Sequence, residues 1–274
     1  MSPTAMSPTA TAAPSVDEKL LLRSDTSGIA TLTLNRPRQY NALSEELLAE
    51  LQSTLEAIEK DTSVRVVVIA GSGSAFCAGH DLKQMRATPQ KTYYDKLFAQ
   101  CSAMMLTLVR IPQPVIARVH GIATAAGCQL VAQCDLAVAS ENAKFAVSGI
   151  NVGLFCSTPS VPLGRNVLRK QAMEMLLTGD FIDAQTAVQR GLVNRVVPAD
   201  QLDAAVNELA QKIISKSSVA VSTGKRMFYK QLEMGLDGAY EYAAQTMACN
   251  MMAEDVGEGI DAFVQKRAPR WTGR

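Results

Sequence analysis

The sequence predicts an α/β fold that closes in a purely helical region. Three observations carry that prediction. Short β-branched runs alternate with helix-length amphipathic stretches through about residue 165. Residues 183–197 add one more helix-to-strand unit, and beyond Asp200 only helical periodicity remains. With 274 residues, 47% of them hydrophobic, the chain can bury a sizeable core, as one domain of roughly 250 residues or a large domain with a small appendage.

The first fourteen residues contain MSPTA twice, followed by TAAP, a composition that cannot pack a core. Residues 1–16 are therefore expected to be a disordered leader, followed by a core over 17–200 and a helical oligomerisation subdomain over 201–274. The leader has neither the apolar stretch of a signal peptide nor the arginines of a mitochondrial transit peptide, which favours a cytoplasmic location. No later segment has the uninterrupted apolar length of a membrane span.

From Ile29 to Asn35 apolar and polar residues alternate, as in a half-buried strand, and Arg36-Pro37 ends the run. Ser44 then caps a helix with Glu45 and Glu46 in its first turn, and Leu47, Leu48, Leu51, Leu55 and Ile58 form its apolar face. Val64 to Ala70 is a nearly continuous β-branched run, the pattern of a strand covered on both faces. Val115 to Val119 and Leu136 to Ala139 are further strands, and Gly191 fits the C-terminal cap of the helix in the 183–197 unit. Helices are expected over roughly 201–215, 217–232, 236–253 and 256–266. Met227, Phe228, Met247, Met251 and Met252 give these helices more apolar surface than one subunit hides, which points to self-association; ordinary core methionines are the other reading.

The charge balance is even, 27 basic against 26 acidic residues for a net +1, so no broad field draws nucleic acid or an anionic membrane. Six scattered cysteines without CxxC spacing suit reduced, mostly buried thiols. Two histidines and no paired cysteines argue against a zinc site, and no metal is expected.

Two segments have the character of sites. Ser74 to Met85 directly follows a buried strand, and Gly79 permits a tight turn that would free the His80 N–H from any ladder. His120 to Leu130 also follows a strand and opens a helix, with Ala125, Ala126 and Gly127 small enough for close backbone approach. Taken alone, the first also reads as a plain connector and the second as tight helix packing. Together they can bring two N–H donors to one carbonyl oxygen, an arrangement that stabilises an enolate or a tetrahedral oxyanion.

Several motifs occur in a fixed order: Asn35-Arg36-Pro37 with Asn41-Ala42-Leu43, Phe76-Cys77-Ala78-Gly79-His80-Asp81-Leu82-Lys83, Gly121 with Ala126-Gly127-Cys128, and Cys134-Asp135. Ala143-Lys144-Phe145, Gly191-Leu192-Val193 and Gly259-Ile260-Asp261-Ala262-Phe263 before Lys266-Arg267 continue it. In that order and spacing, from about residue 25 to 271, the chain resembles the crotonase (enoyl-CoA hydratase/isomerase) superfamily. Its AGHDLK, GIATAAGCQL and NVGLFCSTP stretches are most similar to the enoyl-CoA hydratase domain-containing proteins known from mitochondria, so a mitochondrial matrix location is the alternative to the cytoplasm.

The resemblance implies a spiral of ββα units with a helical C-terminal trimerisation region, assembled as a homotrimer or as a hexamer made of two trimers. It implies acyl-CoA as substrate or ligand and no permanently bound cofactor. The thioester oxygen would accept bonds from the backbone N–H groups of His80 and Ala126. Coenzyme A contacts are implied at Asn41, Ala42, Leu43, Ala78, His80, Asp81, Leu82, Lys83, Ala126 and Gly127, with Phe263 and Lys266 reaching a neighbouring subunit.

The family's two catalytic glutamates, carried across by motif, fall at Gln129 and Gly149. An amide is no general base near neutral pH and glycine has no side chain, so efficient hydration or isomerisation is not expected. Ser148, Cys156 and Ser157 are the polar residues that recruited chemistry would use. Cys156 reads either as a nucleophile or as inert packing, and the His80 imidazole is expected to face the surface, its position acting through the backbone. Three functions follow: a lyase or isomerase of fatty-acid metabolism with altered chemistry, a non-catalytic acyl-CoA binder or regulatory subunit, and an acyl-CoA hydrolase.

Overall fold

The computed structural model describes residues 19–274, so the leader expected over 1–16 lies outside the described residues. The first two strands, β1 (Leu21–Thr26) and β2 (Ile29–Leu34), form a hairpin. Its turn residues Ser27 and Gly28 both have positive φ, 51° and 79°, which matches the right-handed twist of the flanking strands. Ser44 Oγ accepts the Leu47 N–H at 3.3 Å and caps α1 (Glu45–Glu59), which buries the five apolar residues of the predicted face.

The chain then winds as a spiral. β3 (Val66–Gly71), β4 (Ala75–Cys77), α2 (Leu82–Ala87) and α3 (Lys91–Arg110) make one turn, and β5 (Val115–Val119), β6 (Ile122–Thr124) and α4 (Ala126–Gln133) make the next. β7 (Leu136–Ser140), β8 (Lys144–Ala146), α5 (Ser157–Asn166) and α6 (Arg169–Thr178) make a third. β9 (Ile182–Asp183), α7 (Ala184–Gln189) and β10 (Arg195–Val197) follow. Each of the three turns gives one strand to a six-stranded sheet of order β1-β2-β3-β5-β7-β10 and one to a four-stranded sheet of order β4-β6-β8-β9. Pairing is parallel except for β1 against β2 and β9 against β8, as strands separated by whole helical turns require.

The continuous apolar run of β3 has a simple cause. Val67 and Ile69 face the main core, while Val66 and Val68 face α8 (Leu202–Ile214), whose Leu202, Val206 and Ala210 cover that side. A boundary at residue 200 therefore cuts through a hydrophobic layer, and α8 packs as part of the sheet's cover. Only α9 (Ser218–Gln231), α10 (Leu236–Met251) and α11 (Glu254–Val264) stand further out, and α9 and α10 bury no apolar residue fully.

What ties α9 to the core is a buried ion pair. The Lys225 ammonium donates to Asp135 Oδ2 at 2.7 Å and to the carbonyls of Leu108 and Gln113 at 2.7 and 2.9 Å. Asp135 also accepts the Tyr229 hydroxyl at 2.8 Å and the Val115 N–H at 2.6 Å. Burial pulls the Lys225 pKa down and Asp135 opposes it, so the charges persist because each is fully hydrogen-bonded. Lys225→Ala leaves Asp135 buried without its counter-charge. We expect a loss of about 3–5 kcal/mol in urea unfolding, and a loss below about 1 kcal/mol would show that the pair does not anchor the helix.

Candidate functional site

The two segments singled out in the sequence meet backbone to backbone. Gly79, at φ +93°, sits where a Cβ would lie 2.8 Å from the Ala125 Cβ and 3.2 Å from the Ala126 nitrogen. A Cβ on Gly127 would lie 2.0 Å from the Cys77 carbonyl oxygen, so the start of α4 presses directly on β4. Ala125 takes the strained conformation φ 50°, ψ −120°, held by its N–H donating to the Ala146 carbonyl at 3.0 Å. Among the described residues neither the His80 nor the Ala126 N–H has a backbone carbonyl partner. The parallel bridge between Leu43 and His80 uses the Gly79 carbonyl and the Asp81 N–H instead.

Beside these amides opens a cavity of about 300 Å³. Ala78, His80 and Leu82 wall one side, Ala125 and Ala126 the base of α4, and Ser148, Gly149, Cys156 and Ser157 the opposite side. Sequence reasoning missed the rest of the wall: Met85, Phe98, Val152, Leu154, Phe155, Thr158 and Pro159. Their signal was an apolar helix around Phe98 and an apolar loop before Ser157. Among the described residues no Asp, Glu, Lys or Arg lines the cavity, and its walls are predominantly apolar.

The His80 imidazole is not at the surface, contrary to the sequence expectation. Both ring nitrogens are buried without a hydrogen-bond partner, and the ring meets Phe98 edge-on with centroids 5.5 Å apart. Phe98 comes from α3, which local sequence around His80 gives no reason to place there. Burial holds the His80 pKa down at about 4, with the Leu43 carbonyl opposing weakly, so the imidazole is neutral near pH 7.

Asp81 holds the loop: it accepts the N–H groups of Lys83 and Gln84 at the start of α2 and pairs with Arg36 at 2.9 Å. Asn41 is fully buried and its side chain is spent on structure, donating to the Ser72 and Ala75 carbonyls at 2.8 Å and accepting the Arg36 N–H at 2.9 Å. Ala42 and Leu43 are buried beside it, and Lys83 is exposed. Gly127 and Gln129 lie within α4 outside the cavity wall, and Gln129 is buried with its Oε1 unpartnered. Phe263 and Lys266, exposed at and beyond the end of α11, are far along the chain from the cavity wall and contribute nothing to it.

Gly149 is more than an empty position. A Cβ there would meet the Leu154 carbonyl oxygen at 2.6 Å and the Cys156 sulfur at 2.7 Å, and the Gly149 N–H donates to that sulfur at 3.3 Å. Burial pushes the Cys156 thiol up from its ordinary value, the direction opposite to an activated nucleophile. The Ser148 and Thr124 hydroxyls satisfy each other at 2.7 Å, and Ser157 is exposed with its hydroxyl on the Phe155 carbonyl.

A family model described as enoyl-CoA hydratase/isomerase matches residues 24–274. The chain belongs to that family. The chain is 45% identical over 261 residues, covering 95% of this chain and 87% of the relative, to the enoyl-CoA hydratase domain-containing protein 3, mitochondrial, of Rattus norvegicus. It is 34% identical over 94% of its length, and 99% of the relative, to the probable enoyl-CoA hydratase echA8 of Mycobacterium bovis. A crystal structure of enoyl-CoA hydratase from Mycobacterium smegmatis superposes with a TM-score of 0.91 at 58% identity, covering 93% of this chain and 99% of that one. The human enoyl-CoA hydratase domain-containing protein 3 gives 0.90 at 45% identity, over 92% and 100% of the two chains. The spiral of paired strands with helices is thus that of an enoyl-CoA hydratase/isomerase family member. Among the described residues no helix is long and apolar enough to cross a membrane.

Two outcomes are expected. A proton NMR titration should give His80 a midpoint near 4. Because that folded pKa lies below the unfolded value of about 6.5, the unfolded state binds more protons between those values, and stability falls as pH drops from about 6.5 towards 4. A His80 midpoint above 6 would contradict the buried ring. Gly149→Glu should distort the 149–156 loop and lower the melting temperature; a variant as stable as the parent would mean that the loop has room to spare.

Proposed function

We propose that the cavity receives the acyl group of a coenzyme A thioester, whose carbonyl oxygen accepts hydrogen bonds from the His80 and Ala126 N–H groups. The observation that carries this reading is the contact of Gly79 with Ala125 and Ala126, which brings two partnerless amides to the rim of one apolar cavity. Two such donors stabilise negative charge on the thioester oxygen, as an enolate requires, each worth about 3–4 kcal/mol where water is excluded. Ala78 in the cavity wall supports its use by the coenzyme A moiety, with exposed Lys83 available to its phosphates, whereas Ala42 and Leu43 are buried and support the turn from behind.

The proton-transfer half of hydratase chemistry has no support in the cavity wall. Gln129 is an amide, Gly149 has no side chain, and no carboxylate lines the cavity. The reading we favour is an acyl-CoA-binding member of the hydratase/isomerase family with the oxyanion site kept and water activation lost. Hydrolysis through Cys156 is disfavoured by its buried, unactivated thiol. Recruited acid–base chemistry at Ser148 or Ser157 is disfavoured because both hydroxyls are already engaged.

Self-association fits the C-terminal helices, where Phe228, Tyr240, Met247, Met252 and Phe263 are each more than half exposed. A homotrimer or a pair of trimers would cover that surface and bring Phe263 and Lys266 towards a neighbour's coenzyme A. The six free thiols suit a reducing compartment, cytoplasm or mitochondrial matrix.

Titration calorimetry with butyryl-CoA, infrared spectra of a carbonyl-labelled thioester, and crotonyl-CoA hydration followed by loss of the enoyl absorbance test this together. We expect binding, a downshifted carbonyl stretch, and hydration at least about 10⁴-fold below an enzyme with both glutamates. No binding, or a carbonyl stretch unchanged from water, would remove the oxyanion assignment. Turnover comparable with such an enzyme would remove the loss of function.

A further inference from the structure

The cavity as a whole, the part beside the amides included, is larger than a short enoyl thioester needs. An apolar protein cavity of about 150 Å³ accommodates a benzene ring, and this one is about 300 Å³. By that measure it holds roughly a dozen carbon atoms. A four-carbon acyl group would leave most of it empty.

The chemistry of the walls points the same way. Beyond the amides there is no charged side chain to recognise a carboxylated or amine-bearing acyl group. The part of the wall made by Met85 and Phe98 is apolar, and Leu82, Val152, Leu154 and Phe155 continue it outwards while remaining 58%, 66%, 46% and 38% exposed. Exposed apolar side chains scattered singly mean little, but four gathered on one cavity form a continuous surface that has no polar partner of its own. The same loop explains why the cavity has this form. The Leu154 carbonyl and the Cys156 sulfur occupy the space a side chain on Gly149 would take, and the Leu154 and Phe155 side chains of the same loop line the cavity.

Resting on the acyl-CoA reading above, we infer that the preferred ligand is a medium-chain, unsubstituted acyl thioester of roughly eight to twelve carbons, with Val152, Leu154, Phe155, Met85 and Phe98 setting the length. Each methylene that leaves water for this wall tightens binding by up to about fourfold. Short chains gain little of it, and a chain carrying a charged end loses by desolvation.

The test is calorimetry with butyryl-, octanoyl-, decanoyl- and hexadecanoyl-CoA, each below its aggregation limit, with free coenzyme A as the reference. The expected series tightens at least about tenfold from butyryl to decanoyl and then levels off. Val152→Asp, at an exposed wall position, should narrow the gap between decanoyl and butyryl. Butyryl and decanoyl binding within twofold of one another, or affinity still climbing steeply from decanoyl to hexadecanoyl, overturns the length assignment while leaving the thioester reading intact. Failure of every acyl-CoA to bind more tightly than free coenzyme A overturns the thioester reading itself.

Discussion

The site depends on one close contact, the seating of the α4 N-terminus on the strand β4 and the turn that follows it. That approach has no room for side chains: Gly127 lies over the Cys77 carbonyl and Gly79 against Ala125 and Ala126. The spiral makes the contact possible, because β4 and β6 are parallel neighbours in the small sheet and their chains leave it side by side. Two loops that end neighbouring parallel strands leave the sheet on the same side, which is what the proposed pairing of the His80 and Ala126 amides requires, without any designed side chain. The energy of holding Ala125 in its strained conformation, of order 1–3 kcal/mol, is offset by the packing around it.

With the donors supplied by backbone, side chains are left to determine polarity, and here they remove it. The neutral His80 ring is turned into Phe98, the hydroxyls of Thr124 and Ser148 close on each other, and Asp81 and Arg36 neutralise one another behind the turn. On the reading proposed above, the cavity offers two fixed backbone dipoles in apolar surroundings. Dipoles of this kind stabilise a developing negative oxygen most strongly where no mobile water competes. They do nothing to deliver or remove a proton.

The parts of the fold set by local chemistry were legible. The Ser44 cap, the five-residue face of α1, the β-branched run of β3 and the four C-terminal helices all lie within about two residues of their expected bounds. The second sheet was not, because β4, β6, β8 and β9 are only two or three residues long, too short to show a period of two. The same limit governs the site. Gly79 and Ala126 announce themselves by composition, and ordered motifs carry Gln129 and Gly149. The orientation of His80 and the wall at Phe98 depend on where α3 crosses, which no local pattern encodes. The packing of α8 was hidden for a related reason: helical periodicity says that α8 is a helix and not that its partner is the outer face of β3, β5 and β7.

Gly149 bears directly on the shape of the cavity. Were it a simple deletion, the space of a lost carboxylate would stand open to solvent. Instead the Leu154 carbonyl and the Cys156 sulfur have closed on the glycine, and the Gly149 N–H donates to that sulfur. A carboxylate placed there would have to displace backbone before it met a substrate. The loop can take its present course over the cavity only because residue 149 has no side chain. Placing a side chain at this position requires rebuilding the loop first, and a rebuilt loop would alter the apolar walls of the cavity.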